Sequence, residues 1–454
     1  MHPRSLWIAV VVLFVVFTTG GILMLKRFDP AVDSELSNDG ARTTNTPSAS
    51  APIARPAPQE TVPAAPPVAT SAETLPTPDA SDLEQKRLTL DQLRDLLVRP
   101  GAWENEALLT FRNAQALADF LALARAAGIE IEGPFGDALT LRARFDALED
   151  FSRLLESLKG PPPFVGPNYF VSVPRVAPPS PEAAGGTGTA PFDDFLFQSL
   201  GIPESANRGT WGDGVMVAVI DSGISDHPTF RDGQVRTIDL VGENVPLHGH
   251  GTAMASLIAG NQDGAFGISP AANLLDIRIA GSDGLSDSYL LAQGIQIAID
   301  NDADIMNISL GTYGDSPVVA GLVAEAVKKG ILIVAPTGNE QVDQKAWPAA
   351  YPGVISVSGV DAKDQLAFFS NTGGPTLSAP AVGIPSAYFA EDRALIGTGN
   401  GTSQAAALVS GTLAHLRARG LNPTRALTTN ARPIQGDRSN FGAGVLFLPS
   451  TVTR

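Results

Sequence analysis

The chain has no cysteine. Disulfides, thiolate nucleophiles and cysteine metal sites are therefore excluded. Such a chain tolerates an oxidising compartment without that proving residence in one. Basic residues are outnumbered, with 31 Lys plus Arg against 47 Asp plus Glu and a formal charge of -16. This balance argues against nucleic acid and against an anionic membrane face as partners. What is present is a hydrophobic share of 44% in 454 residues. That is ample for a packed core and too long for one ordinary domain, so two or three are expected. There are no internal repeats.

Residues 6–25, inside "SLWIAVVVLFVVFTTGGILMLKR", carry no charge. As a helix they span about 30 Å, the thickness of a bilayer's hydrocarbon core. The run is longer than a signal peptide's apolar region and no Ala-x-Ala follows, so residues 1–28 are read as an uncleaved transmembrane anchor. Arg4 and the terminal amine oppose Lys26 and Arg27, so charge does not set its orientation. Residues 29–80, rich in Pro, Ala, Ser and Thr, have little apolar surface to bury and are expected to form an extended, disordered tether.

Residues 81–175 alternate between strand-like stretches ("NEALLTFRN", "IEIEG", "ALTLRARF", "NYFVSV") and two amphipathic helices, "AQALADFLALARAAG" and "DALEDFSRLLESLKG". The second helix is expected to open at Asp146 and close at Gly160. The order β-α-β-β-α-β predicts a small ferredoxin-like α+β domain, which by itself carries no catalytic signature. A second linker covers residues 176–190. In residues 191–454, apolar strands such as "GVMVAVID", "NLLDIRIA", "DIMNISLG", "ILIVAPTG" and "GVISVSGV" alternate with helices. Strands apolar on both faces predict an α/β fold with a parallel sheet flanked by helices.

In such a sheet, functional groups collect past the carboxyl ends of the strands. Asp221 ends "VMVAVID", His250 stands in "HGHGTAMASLIAG", Asn339 follows "ILIVAPTG", and Ser403 begins the helix of "GTSQAAALVSG". Each alone has an ordinary explanation: a turn carboxylate, a core histidine, a turn amide, an N-cap. His248 reads as a loop residue. Together the four match one chemistry. A serine hydroxyl needs a base to become a nucleophile, the imidazole needs a carboxylate, and the tetrahedral oxyanion needs donors.

In this order the motifs "VAVIDSGI", "HGHGTAMASLIAG", "MNISLGT", "APTGNE" and "GTSQAAALVSG" resemble those of the subtilisin-like serine proteases, over roughly residues 191–451. The resemblance implies a serine endopeptidase working through an acyl-enzyme. Ser403 is then the nucleophile, His250 the base and Asp221 its partner, with Asn339 and the Ser403 N–H as the oxyanion hole. It also implies that Ser309, Leu310 and Gly311 form an exposed strand edge that pairs with an extended protein or peptide substrate. Ala407 stands where the family often has proline, and Ala253-Met254 where it often has histidine-valine. No cofactor is required. "DGLSDS" reads as a solvated turn, so a structural calcium is possible without being indicated.

Residues 81–175 in turn resemble the family's inhibitory pro-domain, which implies an intramolecular inhibitor and self-cleavage between Val171 and Gly186. The whole is expected to be a single-pass membrane protein with its catalytic domain in the periplasm or outside the cell. The alternative is a catalytically inactive, protease-like binding module at the membrane. A serine hydrolase of the α/β-hydrolase type is excluded, because Gly-x-Ser-x-Gly and the order Ser, acid, His are both missing.

Overall fold

A computed structural model describes residues 87–136, 139–176, 190–242, 244–262, 264–390, 393–434 and 438–453. The predicted anchor (1–28), the tether (29–80) and residues 177–189 of the second linker lie outside the described residues. Among the described residues no helix is long and apolar enough to cross a membrane.

The first unit contains α1 (Leu90–Leu97), β1 (Ala102–Thr110), α2 (Ala114–Ala126), β2 (Glu130–Phe135), β3 (Thr140–Arg144), α3 (Leu148–Ser157) and β4 (Phe164–Ser172). The four strands lie in the order β4-β1-β3-β2, and every neighbouring pair is antiparallel. Helix α2 buries Leu117, Phe120 and Ala124, spaced three and four apart, so one stripe faces the sheet. The helix expected from Asp146 starts instead at Leu148. Ala147 takes the cap position without a side-chain bond, and burial of Phe151, Leu154 and Leu155 sets its register.

The second unit begins with a short helix α4 (Leu196–Ser199), then β5 (Met216–Asp221), β6 (Val235–Asp239), α5 (His250–Ala259) and the hairpin β7 (Asn261–Gln262) with β8 (Ala265–Phe266). It continues through β9 (Asn273–Arg278), β10 (Leu285–Asp287), α6 (Ser288–Asp300), β11 (Ile305–Ile308), α7 (Pro317–Lys328), β12 (Leu332–Pro336), β13 (Ile355–Val360) and β14 (Leu377–Pro380). The hairpin β15 (Ile384–Ala390) with β16 (Arg393–Gly399) leads into α8 (Thr402–Ala418). Seven strands form one sheet in the order β14-β13-β12-β11-β5-β9-β6. Its pairings are all parallel, as expected for strands that are apolar on both faces.

Alternate residues of the strands serve two cores. Val217, Val219, Val334 and Val357 pack with α5 and α8 on one face. Ala218, Ile220, Ile277 and Ile333 pack with α6 and α7 on the other. After β5 the chain goes first to the edge as β6, returns as β9 between β6 and β5, and then crosses to build β11 to β14 on β5's other side. Strand order therefore reverses at β5, which opens a crevice at its carboxyl end.

The two units share a sheet. β10, from the second unit, adds to β4 in antiparallel register, with Leu285 opposite Ser172 and Asp287 opposite Phe170. Beneath this seam the buried Arg142 guanidinium pairs with Asp287 and with Glu132. Asp287 also caps α6 by accepting from Leu290 N (2.9 Å). The Tyr169 ring lies directly on Gly314, where a Cβ would come within 2.1 Å of it. Glycine at 314 leaves the space into which Tyr169 docks.

Candidate functional site

The site starts at the reversal point. The run Val217–Ile220 is fully buried and delivers Asp221, itself without exposure, to the end of β5. Asp221 Oδ1 accepts from Ser222 N (2.7 Å), and both carboxylate oxygens lie within hydrogen-bond distance of His250 Nδ1, at 2.8 and 2.9 Å. Ser222 Oγ accepts from Gly251 N (3.1 Å), tying the first turn of α5 to the end of β5. That approach needs glycine at 251, since a Cβ there would sit 2.6 Å from the Gly223 carbonyl oxygen. The result is an imidazole whose Nδ1 faces a buried carboxylate.

Ser403 lies in the first turn of α8, a helix buried over most of its length. Its Oγ is buried and has no hydrogen-bond partner among the described residues. One residue earlier, Thr402 gives both its N–H (3.0 Å) and its hydroxyl (2.8 Å) to Asn339 Oδ1. Two donors on Oδ1 settle which way the amide points, so Nδ2 is left as a donor. It donates to the Pro174 carbonyl oxygen at 3.2 Å.

The turn that carries Asn339 is held by Glu340, from the same motif, together with Tyr313 and Asn371 from distant stretches of the chain. Glu340 accepts from Asn339 N (2.8 Å), from Asn371 Nδ2 (3.0 Å) and from the Tyr313 hydroxyl. Asn371 Oδ1 in turn accepts from Glu340 N (2.9 Å) and Val342 N (3.1 Å). Gly338, with φ +114°, lies so close to Asn371 that a Cβ would be 2.3 Å from its Nδ2.

The edge expected to lie open at Ser309, Leu310 and Gly311 is covered. Ser309 and Leu310 are fully buried. Gly311 and Ser172 exchange both main-chain hydrogen bonds, at 2.9 and 3.0 Å. On the other side Val173 N donates to the Gly284 oxygen (3.0 Å), continuing the β4–β10 ladder. The chain's own residues 171–174 thus run as a middle strand between two edges of the second unit. They end with a carbonyl on Asn339.

Two further groups lie close by. His248 sits exposed in the loop before α5, its ring centre 6.4 Å from that of His250. Asp276 is concealed in the sequence because "NLLDIRIA" reads as a plain apolar strand. It is fully buried on β9, where its Oδ2 accepts from Ile224 N (3.1 Å), just past Asp221, and from the Thr237 hydroxyl (3.0 Å). Burial, reinforced by the negative charges of Asp221 and Asp239, pushes its carboxyl up to about 7. From about pH 4 to pH 7 the folded chain then holds this proton more tightly than the unfolded chain. The stability it contributes is full at acid pH and is lost as pH rises through 7. At about 1.4 kcal/mol per unit the loss is on the order of 4 kcal/mol. Asp276→Asn keeps an acceptor for both donors and cannot ionise. It is expected to unfold at higher urea than wild type at pH 8 and at a similar concentration at pH 4. An unchanged difference between the two pH values would remove Asp276 from this account.

The Subtilase family profile matches residues 212–444, just over half of the chain. Subtilisin BL of Lederbergia lenta is 33% identical over 261 residues, which cover 54% of this chain and 93% of that protein. The minor extracellular protease Epr of Bacillus subtilis (strain 168) is 35% identical over 240 residues, 52% of this chain but only 37% of the relative's own length. Among solved structures, fervidolysin from Fervidobacterium pennivorans, a keratinolytic enzyme related to subtilisin, superposes with a TM-score of 0.64 at 23% identity. That match covers 79% of this chain and 62% of fervidolysin, and it is a likeness of fold. Profile, relatives and the seven-stranded parallel sheet converge, and the chain belongs to the subtilase family of serine-type peptidases.

Proposed function

We propose that this chain is a serine endopeptidase, tethered to a membrane by residues 1–28, whose first folded unit (81–175) blocks its own cleft until it is cut away. The observation that carries the reading is the pairing of both Asp221 oxygens with His250 Nδ1, beside a peptide carbonyl held by Asn339 Nδ2.

In the proposed reaction His250 Nδ1–H is retained by Asp221, so Nε2 takes the proton from Ser403 Oγ as the oxygen attacks the carbonyl carbon. The carbonyl oxygen gains charge and is met by Asn339 Nδ2 and by the Ser403 N–H, one of the amides that a helix start leaves unbonded. Collapse expels the amine, which takes the proton from His250. Water then releases the acyl group by the same steps in reverse. Protein or peptide substrates would enter as an extended strand between Gly311 and β10. Residues 171–173 make such pairings, which supports the reading of the first unit as an intramolecular inhibitor. Self-cleavage falls between Val171 and Gly186, and the uncharged run at 6–25 supports a catalytic domain outside the cytoplasm.

The test is intact mass and fluorophosphonate labelling of wild type and Ser403→Ala. A shortened, labelled wild type beside a full-length, unlabelled variant is expected. Identical full-length species in both would end the self-cleavage reading, and no label on wild type after trypsin has removed its first unit would end the peptidase reading. Asn339→Ala is expected to lower kcat by about 10²–10³, the size known for loss of this donor in subtilisin itself, with KM little changed. Steady-state kinetics on a peptide substrate checks it, and a loss under about threefold would take Asn339 out of the oxyanion hole.

A further inference from the structure

The strand in the cleft has an unusual last residue. Ser172 and Gly311 form a hydrogen-bonded antiparallel pair, and such pairs recur every second residue along a ladder. The next pair therefore sets residue 174 opposite Ser309. A residue with an N–H would donate it to the Ser309 oxygen and be held on both sides of its carbonyl. Residue 174 is proline, which has no N–H to give. Its carbonyl is the one on Asn339 Nδ2, at 3.2 Å.

Proline acts oppositely on holding and on cutting. Its fixed φ, and the extended conformation it imposes on Val173, reduce the freedom that the strand loses when it docks. The missing bond to Ser309 removes the contact that would aim the carbonyl carbon at the nucleophile, and small misplacements of a reacting carbon are costly in rate. Binding is favoured while the transition state is not.

Resting on the peptidase reading above, we propose that Pro174 is the specificity-determining residue for the chain's own processing: it presents the Pro174–Arg175 bond to Ser403 and makes that bond slow to cut. Hydrolysis consumes one water, leaves a carboxylate on Pro174 and makes Arg175 the new amino terminus.

The test is an intact-mass time course on four full-length chains: wild type, Pro174→Ala, and each combined with Ser403→Ala. Pro174→Ala is expected to release a fragment beginning at Arg175 about two- to tenfold faster than wild type, the scale of one main-chain hydrogen bond, and neither Ser403→Ala chain is cut. Equal or slower release by Pro174→Ala, a different new amino terminus, or cutting that persists with Ser403→Ala overturns the proposal. If no chain cuts itself, fluorophosphonate labelling after limited trypsin digestion has removed the blocking first unit decides which idea fails. Label on Ser403 in a Pro174→Ala chain that did not cut itself overturns the role of proline alone. Absence of label overturns the peptidase reading, and the role of proline with it.

Discussion

Ser403→Ala is expected to hydrolyse peptide substrates about 10⁶-fold more slowly than wild type, a loss of the size known from subtilisin itself. The hydroxyl contributes only when it attacks, so the change should fall on kcat and leave KM nearly unmoved. The residual rate, about 10³–10⁴ above that in water, would come from the oxyanion donors and from binding. Stability should hardly change. Ser403 Oγ has no hydrogen-bond partner among the described residues, so alanine orphans no donor or acceptor. A chain that cannot cut itself also cannot clear its own cleft. The comparison therefore uses both proteins after processing in trans by added wild type, with kcat, KM and the urea midpoint measured together. More than about one part in a hundred of wild-type kcat in the processed variant would show that Ser403 is not the nucleophile.

The second large effect is expected for Asp221→Asn, a fall in kcat of about 10⁴, the size known for the same change in a serine-protease triad. The two side chains have nearly the same shape. Asparagine can keep its oxygen on Ser222 N, which Asp221 Oδ1 now accepts at 2.7 Å, and turn its NH₂ toward His250 Nδ1. That NH₂ needs an acceptor, so Nδ1 must lose its proton and Nε2 must carry one. The imidazole is then in the wrong tautomer to take a proton from Ser403. The imidazolium formed during reaction also loses its buried counter-charge, which now lies 2.8 and 2.9 Å away. Kinetics on the processed variant check this, and a loss under about tenfold would mean that Asp221 only shapes the turn.

The sheet was legible because its cause is local. Strands such as Val217–Ile220, apolar on both faces and bounded by turn residues, have few alternatives to a covered parallel sheet. Ser403 could be placed at a helix start for a similar reason: "GTS" opens a long stretch without a breaker. Helix boundaries were less legible. Asp146 is a good cap by type, yet α3 starts two residues later, because burial of Phe151 and Leu155 outweighed the missing cap bond at Ala147.

What by-residue reading could not reach is whatever depends on register between distant strands. Tyr313 and Asn371 are 58 positions apart, and nothing near either predicts that both would meet at Glu340 behind Asn339. Asp276 reads as an interruption in an apolar strand. Only the alignment of β9 between β5 and β6 gives it Ile224 and Thr237 as partners. The edge at Ser309 to Gly311 was read as open, because a sequence does not say which strand will lie beside it. Local periodicity and turn chemistry determined the sheet, its helices and the positions of Asp221, His250, Asn339 and Ser403 along the chain. Tertiary packing decided that β4 would continue into the cleft and end with Pro174 on Asn339. Side-chain pattern acts over a few residues, whereas strand neighbours are chosen by the free energy of the whole assembled core.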